Sequence, residues 1–421
     1  MLGTLLTVVK GLPTFRATFA VLEVLMRRFL PSLACLVLAT AACGSGGGGG
    51  GSGAQDPIKV GLIVSLTGNY TPLGSEDKKA VELAVEQINN GGGLLGRKVE
   101  LVARDDKTAP DQGIVAYNQI KGEIDALIGP VFSNSALAIE PLAQRDKMPY
   151  LSLAPAQEQV EPIKSYVFVT PALSSMYAER YLQYLQATGL KTVAVAYDSK
   201  SAYSVSGHKA MVALAPKYGV KIAVDEPYET TTSDFSPLFT HVRGSAAEAL
   251  VFWGSGAPGV TAAKQYAAAG LKVPLFLTAS QASKLWLEPM GAAAEGMTVQ
   301  SAIGVVGEQL PDGKQKQVIE QMSKPYQQKY GYPPPQFAQD GYSASLLLFE
   351  AIKKAGGTDK AKIQQALESM DLVTPNGRFR YSPTDHSGLS PEYISVNTVK
   401  NGQFITTPWA KAQLAKTVAA E

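Results

Sequence analysis

IKVGLIVSLTG (58–68) is a near-continuous apolar run closed by Thr67-Gly68. Such a run reads as a parallel strand buried on both faces. The residues after it carry a different period. Ser75-Glu76-Asp77 predicts a helix opening, with a capping residue and acids at its positive end. Ala80, Leu83, Ala84 and Ile88, with Val81 and Val85 beside them, form its buried stripe, and Gly91-Gly92-Gly93 ends it. Val99 to Ala103 is the next strand, with Asp105-Asp106 at its carboxyl end. Strands follow at 125–129, 150–153 and 166–169, and helices at 135–145 and 174–188. A second series then begins, with strands at 192–197, 221–224, 249–253 and 275–278 and helices at 206–218, 235–243 and 260–269. Further helices are expected at 315–330, 338–355 and 360–370. Gly377 to Tyr381 and Tyr393 to Val399, with Asn401-Gly402 as a turn, read as late antiparallel strands. The alternation predicts an α/β protein of two similar lobes with parallel sheets. Ligands of such sheets bind outside the carboxyl ends of the strands, so a cleft between the lobes would collect both sets of ends.

The 421 residues are enough for two domains. A net charge of +2 gives no basic field for nucleic acid. The three histidines, His208, His241 and His386, are far apart, which argues against a zinc site or a histidine triad. The only cysteines, Cys35 and Cys43, precede the folded region, so the body offers no disulfide, thiol nucleophile or thiolate metal site. From Met26 the chain reads as a signal peptide: Arg27-Arg28, an apolar stretch, then Thr40-Ala41-Ala42-Cys43. The apolar stretch is shorter than the roughly 20 residues that span a bilayer. Thr40 to Cys43 resembles a bacterial lipobox, which makes Cys43 the expected lipidation site and residues 26–42 the signal. Ordinary cleavage after Ala42 is the alternative. The Gly/Ser run of 43–56 reads as a tether. Residues 1–25 add a second apolar stretch, and the simplest reading starts translation at Met26.

Several ordered stretches carry a family resemblance: IKVGLIVSLTG (58–68), AVEQINNGGGLLGRKVEL (84–101), ARDDKTAPDQGIVA (103–116), DALIGPVFSNSALA (125–138), PYLSLAPA (149–156), AAAGLKVPLF (267–276) and GYSASLLLFEAI (341–352). In this order and spacing the chain resembles the type I periplasmic binding proteins, in their leucine/isoleucine/valine-binding branch, over about 57–405. The resemblance implies two Rossmann-like lobes joined by three crossovers that close on a ligand. It places lobe one at 57–173 plus 305–372 and lobe two at 174–304 plus 373–410.

The same resemblance nominates ligand contacts. The loop Val131-Phe132-Ser133-Asn134 holds the ligand carboxylate in the family. Independently of that, Ser133 and Asn134 lie between a strand and a helix, where free N–H groups and the positive helix end meet an anion. Either residue can instead cap the helix. Ser152 to Ala156 matches the next ligand loop, and Ala156 stands where the family often has Thr, leaving backbone groups of Ala154 to serve. Tyr203 matches a tyrosine that reaches the cleft from lobe two, although a surface aromatic is the plain alternative. Tyr70, Phe132 and Trp253 are candidate pocket walls or core. GSGAPG (254–259) fits GxGxxG, but the following strand ends at Ala279-Ser280-Gln281 without the acid that a dinucleotide ribose requires, so no cofactor is expected and Gly254 is read as part of a cleft loop.

These features predict a binding protein for a small molecule, working with the permease and ATPase of an ABC importer, anchored by Cys43 and monomeric. A receptor presenting its ligand to a membrane signalling protein is the alternative. An enzyme would need a nucleophile–base pair, a metal cluster or a complete cofactor motif, and none is legible. Amino-acid binders of the family place an acid where Ala279-Ser280-Gln281 stands here, next to Leu275-Phe276-Leu277-Thr278. A buried ammonium without an anion is costly. The sequence therefore favours a small organic acid, with Asp198 or Glu76 as the residues that would restore an amino acid.

Overall fold

In the computed structural model, which describes residues 56–420, the first apolar run forms β1 (Ile58–Val64) at the heart of a parallel sheet. It is followed by α1 (Thr71–Asn90), β2 (Val99–Asp105), α2 (Pro110–Ile120), β3 (Ala126–Ile128), α3 (Ser133–Arg145), β4 (Tyr150–Ser152) and β5 (Val167–Val169). The sheet order is β2-β1-β3-β4-β5, all parallel. Helices cover both faces, which is why the strands carry apolar side chains on both sides.

The second lobe repeats the scheme with α4 (Ser174–Thr188), β6 (Thr192–Asp198), α5 (Ala202–Leu214), β7 (Lys221–Tyr228), α6 (Ser236–Gly244), β8 (Ala249–Trp253), α7 (Ala257–Ala269), β9 (Leu275–Leu277), α8 (Lys284–Met290) and β10 (Thr298–Ala302). The chain then returns to the first lobe with α9 (Lys314–Tyr330), α10 (Gln336–Ala355), α11 (Lys360–Glu368) and the hairpin β11 (Asp371–Thr374) and β12 (Gly377–Arg380). It ends in the second lobe as β13 (Ile394–Lys400), β14 (Gln403–Thr406) and α12 (Pro408–Ala419). The second sheet has the order β14-β13-β10-β9-β8-β6-β7, with β13 and β14 antiparallel to their neighbours. Two parallel-sheet lobes linked by three crossovers are thus the architecture.

Several local expectations shift. The first helix starts at Thr71, with Pro72 in its first turn, rather than at Ser75. Proline is pre-shaped for that position. Glu76 and Asp77 lie inside the helix and are buried. α1 can run so close to the end of β1 because residue 74 is glycine. A Cβ there would sit 2.2 Å from the Ser65 carbonyl oxygen.

α2, β10 and α12 were not legible as elements. β10 (TVQSA) looks too polar for a central strand, but its polar side chains find partners inside: Gln300 donates to the Tyr177 carbonyl at 2.8 Å, and Asn397 of β13 donates to the Ser301 hydroxyl at 2.9 Å. The late strands pair differently from expectation. β12 pairs with β11, whereas β13 pairs with β10 and β14. Asn401 and Gly402 both have positive φ, 52° and 68°, and so close the β13–β14 hairpin as a two-residue turn.

The return to the second lobe also falls later than residue 373. The Tyr381 hydroxyl donates to the Val169 carbonyl at 2.9 Å, and the Val169 N–H donates to the His386 carbonyl at 2.9 Å. The His386 ring stacks on Phe168 with centroids 4.1 Å apart. Residues 371 to about 389 therefore pack on the first sheet, and the third crossover lies just before β13.

Candidate functional site

The carboxyl ends of parallel strands from both lobes meet at one cavity. The loops after β1, β3 and β4 bring Tyr70, Val131, Ser133, Leu153 and Pro155 to it. From the second lobe, the segments after β6, β8 and β9 bring Tyr203, Ser255, Ala279 and Ser280. Tyr177 of α4 and Gln336, Phe337 and Asp340 of α10 complete the wall. The cavity between the lobes is small, ≈ 30 Å³.

Ser133 is the first residue of α3 and is 2 % exposed, and its hydroxyl has no hydrogen-bond partner. Neither Ser133 nor Asn134 caps α3. The N-cap position is Phe132, and no side chain bonds to the helix N–H groups there. The helix end thus presents free donors together with a buried, unused hydroxyl. The Tyr203 hydroxyl is likewise buried and lacks a well-formed hydrogen bond, although Thr278 and Ser280 are its neighbours. The Ser280 hydroxyl donates to the Gly254 carbonyl. The Tyr70 phenol faces Ser255 and Ser201 of the other lobe, and burial raises its pKa. Of the residues nominated from sequence, the structure therefore brings Tyr70, Ser133, Tyr203 and Ser280 together.

The others have different surroundings. Asn134 bridges the lobes: its side-chain amide donates to the Lys200 carbonyl at 3.0 Å and accepts from the Ala202 N–H at 2.9 Å. Phe132 packs on Tyr70, with ring centroids 4.8 Å apart. The Ala154 N–H is turned to the Ser152 hydroxyl and its carbonyl to the Gln159 amide, which also bonds the Ala156 carbonyl. Those backbone groups are engaged within their own loop. Gly254 lies under Tyr228, where a Cβ would meet the phenol oxygen at 1.9 Å. Trp253 is core, fully buried with its edge toward Tyr203. Neither acid considered as an ammonium partner reaches the cavity. Asp198 accepts from Thr230 and the Lys200 N–H, and Glu76 from the phenols of Tyr326 and Tyr332 and from Lys79.

The sequence reading passed over Asp340. It lies one turn into α10, 2 % exposed, in the cavity wall. Asn376 donates to it at 2.7 Å and Gln336 at 3.1 Å. Burial pushes its pKa up to about 7, against the lowering effect of those two amides. Its only sequence signal is an acid on the apolar stripe of an otherwise core-facing helix. Gln336 also accepts from the Ala302 N–H at 2.6 Å, and its own N–H donates to the Ala282 carbonyl at 3.2 Å, so it ties α10 to the second lobe. Among the described residues no group of three or more acidic, histidine or cysteine side chains could hold a metal ion.

Comparison with known proteins agrees with this architecture. Residues 57–403 match the family described as periplasmic binding protein. A Leu/Ile/Val-binding protein homolog 3 of Brucella melitensis is 28 % identical over 339 residues, 79 % of this chain and 89 % of that protein. The leucine-, isoleucine-, valine-, threonine- and alanine-binding protein of Pseudomonas aeruginosa is 26 % identical over 368 residues, 85 % of this chain and 91 % of its own length. The crystal structure of a type 1 periplasmic binding protein from Bordetella pertussis superposes with a TM-score of 0.76 at 26 % identity, covering 84 % of this chain and all of that one. With two parallel-sheet lobes, three crossovers and a cavity walled by both, the chain belongs to the periplasmic binding protein family, in its type I, leucine/isoleucine/valine-binding-protein-like branch.

Proposed function

We propose that this chain is the extracytoplasmic substrate-binding component of an ABC importer and captures a small carboxylate-bearing ligand between its lobes. Members of the family bind ligands and are not enzymes. One observation carries the choice of a carboxylate. The Ser133 hydroxyl and the uncapped N-terminus of α3 are buried in the cavity wall with no protein acceptor to serve. Donors in that state are costly unless a ligand accepts from them. The five amino acids named for the Pseudomonas relative all bear a carboxylate. A cavity walled by both lobes supports closure on the ligand: it enters when the lobes are apart and is held by contacts to both once they meet.

Two experiments test this. Native mass spectrometry of protein purified from its host identifies the co-purified molecule, and a ligand without a carboxylate or other anionic group would overturn the reading. Calorimetry on Ser133→Ala should then show affinity for that molecule reduced about tenfold or more, the worth of a hydrogen bond to a charged group. The anchor at Cys43 falls outside the described residues and is part of the proposal. Cys43→Ala should release the protein from the membrane fraction with its ligand affinity unchanged, and continued retention would point to another attachment.

A further inference from the structure

We propose, resting on that reading, that Asp340 receives the ammonium of an α-amino acid whose carboxylate is held at Ser133. The observation behind this is an excess of buried acid with nothing positive to meet it. Asp340 lines the cavity, and Asp77 of α1 lies beside it, fully buried, with neither carboxylate oxygen in a well-formed hydrogen bond. Glu76, itself paired with Lys79, lies close enough to raise the Asp77 carboxyl further, and the charge of Asp340 is felt by the Tyr177 phenol of α4. No lysine, arginine or histidine among the described residues is paired with Asp77 or Asp340, whose partners are neutral groups.

Burial raises both carboxyls, and the charge of Asp340 raises Asp77 further, so the protonated forms are favoured. What the site lacks is one cation, and Asp340 is the member of the pair that reaches the cavity. An amino acid supplies that cation and, at its other charged group, an acceptor for Ser133. The acid that the second lobe lacks at Ala279-Ser280-Gln281 is thus provided from the first lobe, by α10. This reverses the organic-acid preference read from the sequence.

The test is a thermal-shift screen of the purified full chain against the twenty standard amino acids and a panel of carboxylates without an amine, including 4-methylpentanoate, 3-phenylpropanoate and benzoate, followed by calorimetry on the hits. At least one amino acid should bind, and its deaminated analogue should bind about 100-fold more weakly, the consequence of leaving a buried charge without its partner. Asp340→Asn should weaken the amino acid by a similar factor and leave the deaminated analogue little changed, which also reports that the variant folds. A measurement on the unaltered protein guards against a misfolded variant. Calorimetry at pH 6 in buffers of different ionisation enthalpy should show most of one proton released as the amino acid binds. Binding of carboxylates but of no amino acid would overturn the role of Asp340 while leaving carboxylate capture intact. Equal affinity for an amino acid and its deaminated analogue, or no proton release, would do the same. Binding of neither class would overturn both.

Discussion

At the residue scale, the cavity is defined by polar atoms that the protein leaves unused. Ser133 and Tyr203 hold buried hydroxyls without good partners, and Asp340 holds a carboxylate without a cation. Folding normally satisfies such groups, so their persistence in one cavity marks where binding energy is available. The acid also sets a pH dependence. In the unfolded chain Asp340 would ionise near pH 4, whereas in the fold burial pushes it up to about 7. A carboxyl raised in this way contributes to stability at low pH, and that contribution is lost as pH rises through its folded value. The unliganded protein should therefore lose stability through this group between about pH 4 and pH 7, on the order of 1 kcal/mol per unit within that window, with little further loss above it. Asp77, also raised by burial and by its acidic neighbours, acts in the same direction. An ammonium ligand offsets the loss, because it meets the ionised form. Melting curves with and without a bound amino acid should show stabilisation that grows from pH 5.5 to pH 8, and stabilisation that instead shrinks over that range would contradict the assignment.

At the scale of elements, α1, α3 and α10 position the site. Gly74 lets α1 rest on the end of β1, which sets Tyr70 and Leu73 in the wall of the cavity. Gly74→Val should overpack this contact and lower stability by about 1–3 kcal/mol, and chemical denaturation measures the change. α10 begins at Gln336, which accepts from Ala302 at the second crossover and donates to Asp340 within its own first turns. A ligand held at Asp340 is thus one side chain away from the hinge. Gln336→Leu removes that link and leaves the Ala302 N–H buried and unpaired, a change expected to cost about 1–3 kcal/mol. Its signature should be a fall in ligand affinity together with a lower melting temperature, unlike Asp340→Asn, whose effect is confined to ligands that carry an amine.

At the scale of the whole molecule, the proposed closure would rest, beside the hinge bonds of Gln336, on polar contacts across the lobes among the described residues. The clearest is Asn134, with one bond to the Lys200 carbonyl and one from the Ala202 N–H. Gln157 adds a third, from its N–H to the Ser206 hydroxyl at 3.3 Å. A latch of this size, on the order of 1–2 kcal/mol, lets a ligand with contacts to both lobes decide the balance between open and closed. Asn134→Ala should favour the open form and reduce apparent affinity by about 5- to 30-fold without touching the ligand. Small-angle scattering should show the unaltered protein compacting on ligand addition and the variant needing more ligand for the same compaction. An identical titration would remove Asn134 from the closing mechanism.

The sequence by itself determined the fold class, because buried parallel strands must be apolar on both faces and the helices between them must carry a stripe. That pattern is written locally in IKVGLIV (58–64) and in its counterparts. It also marked the loops after β1, β3, β6 and β9, and so Tyr70, Ser133, Tyr203 and Ser280. What it could not supply was anything that depends on partners distant in the chain. β10 passes as a loop until Tyr177 and Asn397 are seen to bond its polar side chains. Asn134 reads as a cap until it is seen to face Lys200. Asp340 lies 207 positions after Ser133 (340 − 133), and only the packing of α10 brings both to one cavity. Apolar periodicity is a property of neighbours along the chain, whereas the charge balance of a buried site is a sum over segments that meet only in the folded protein.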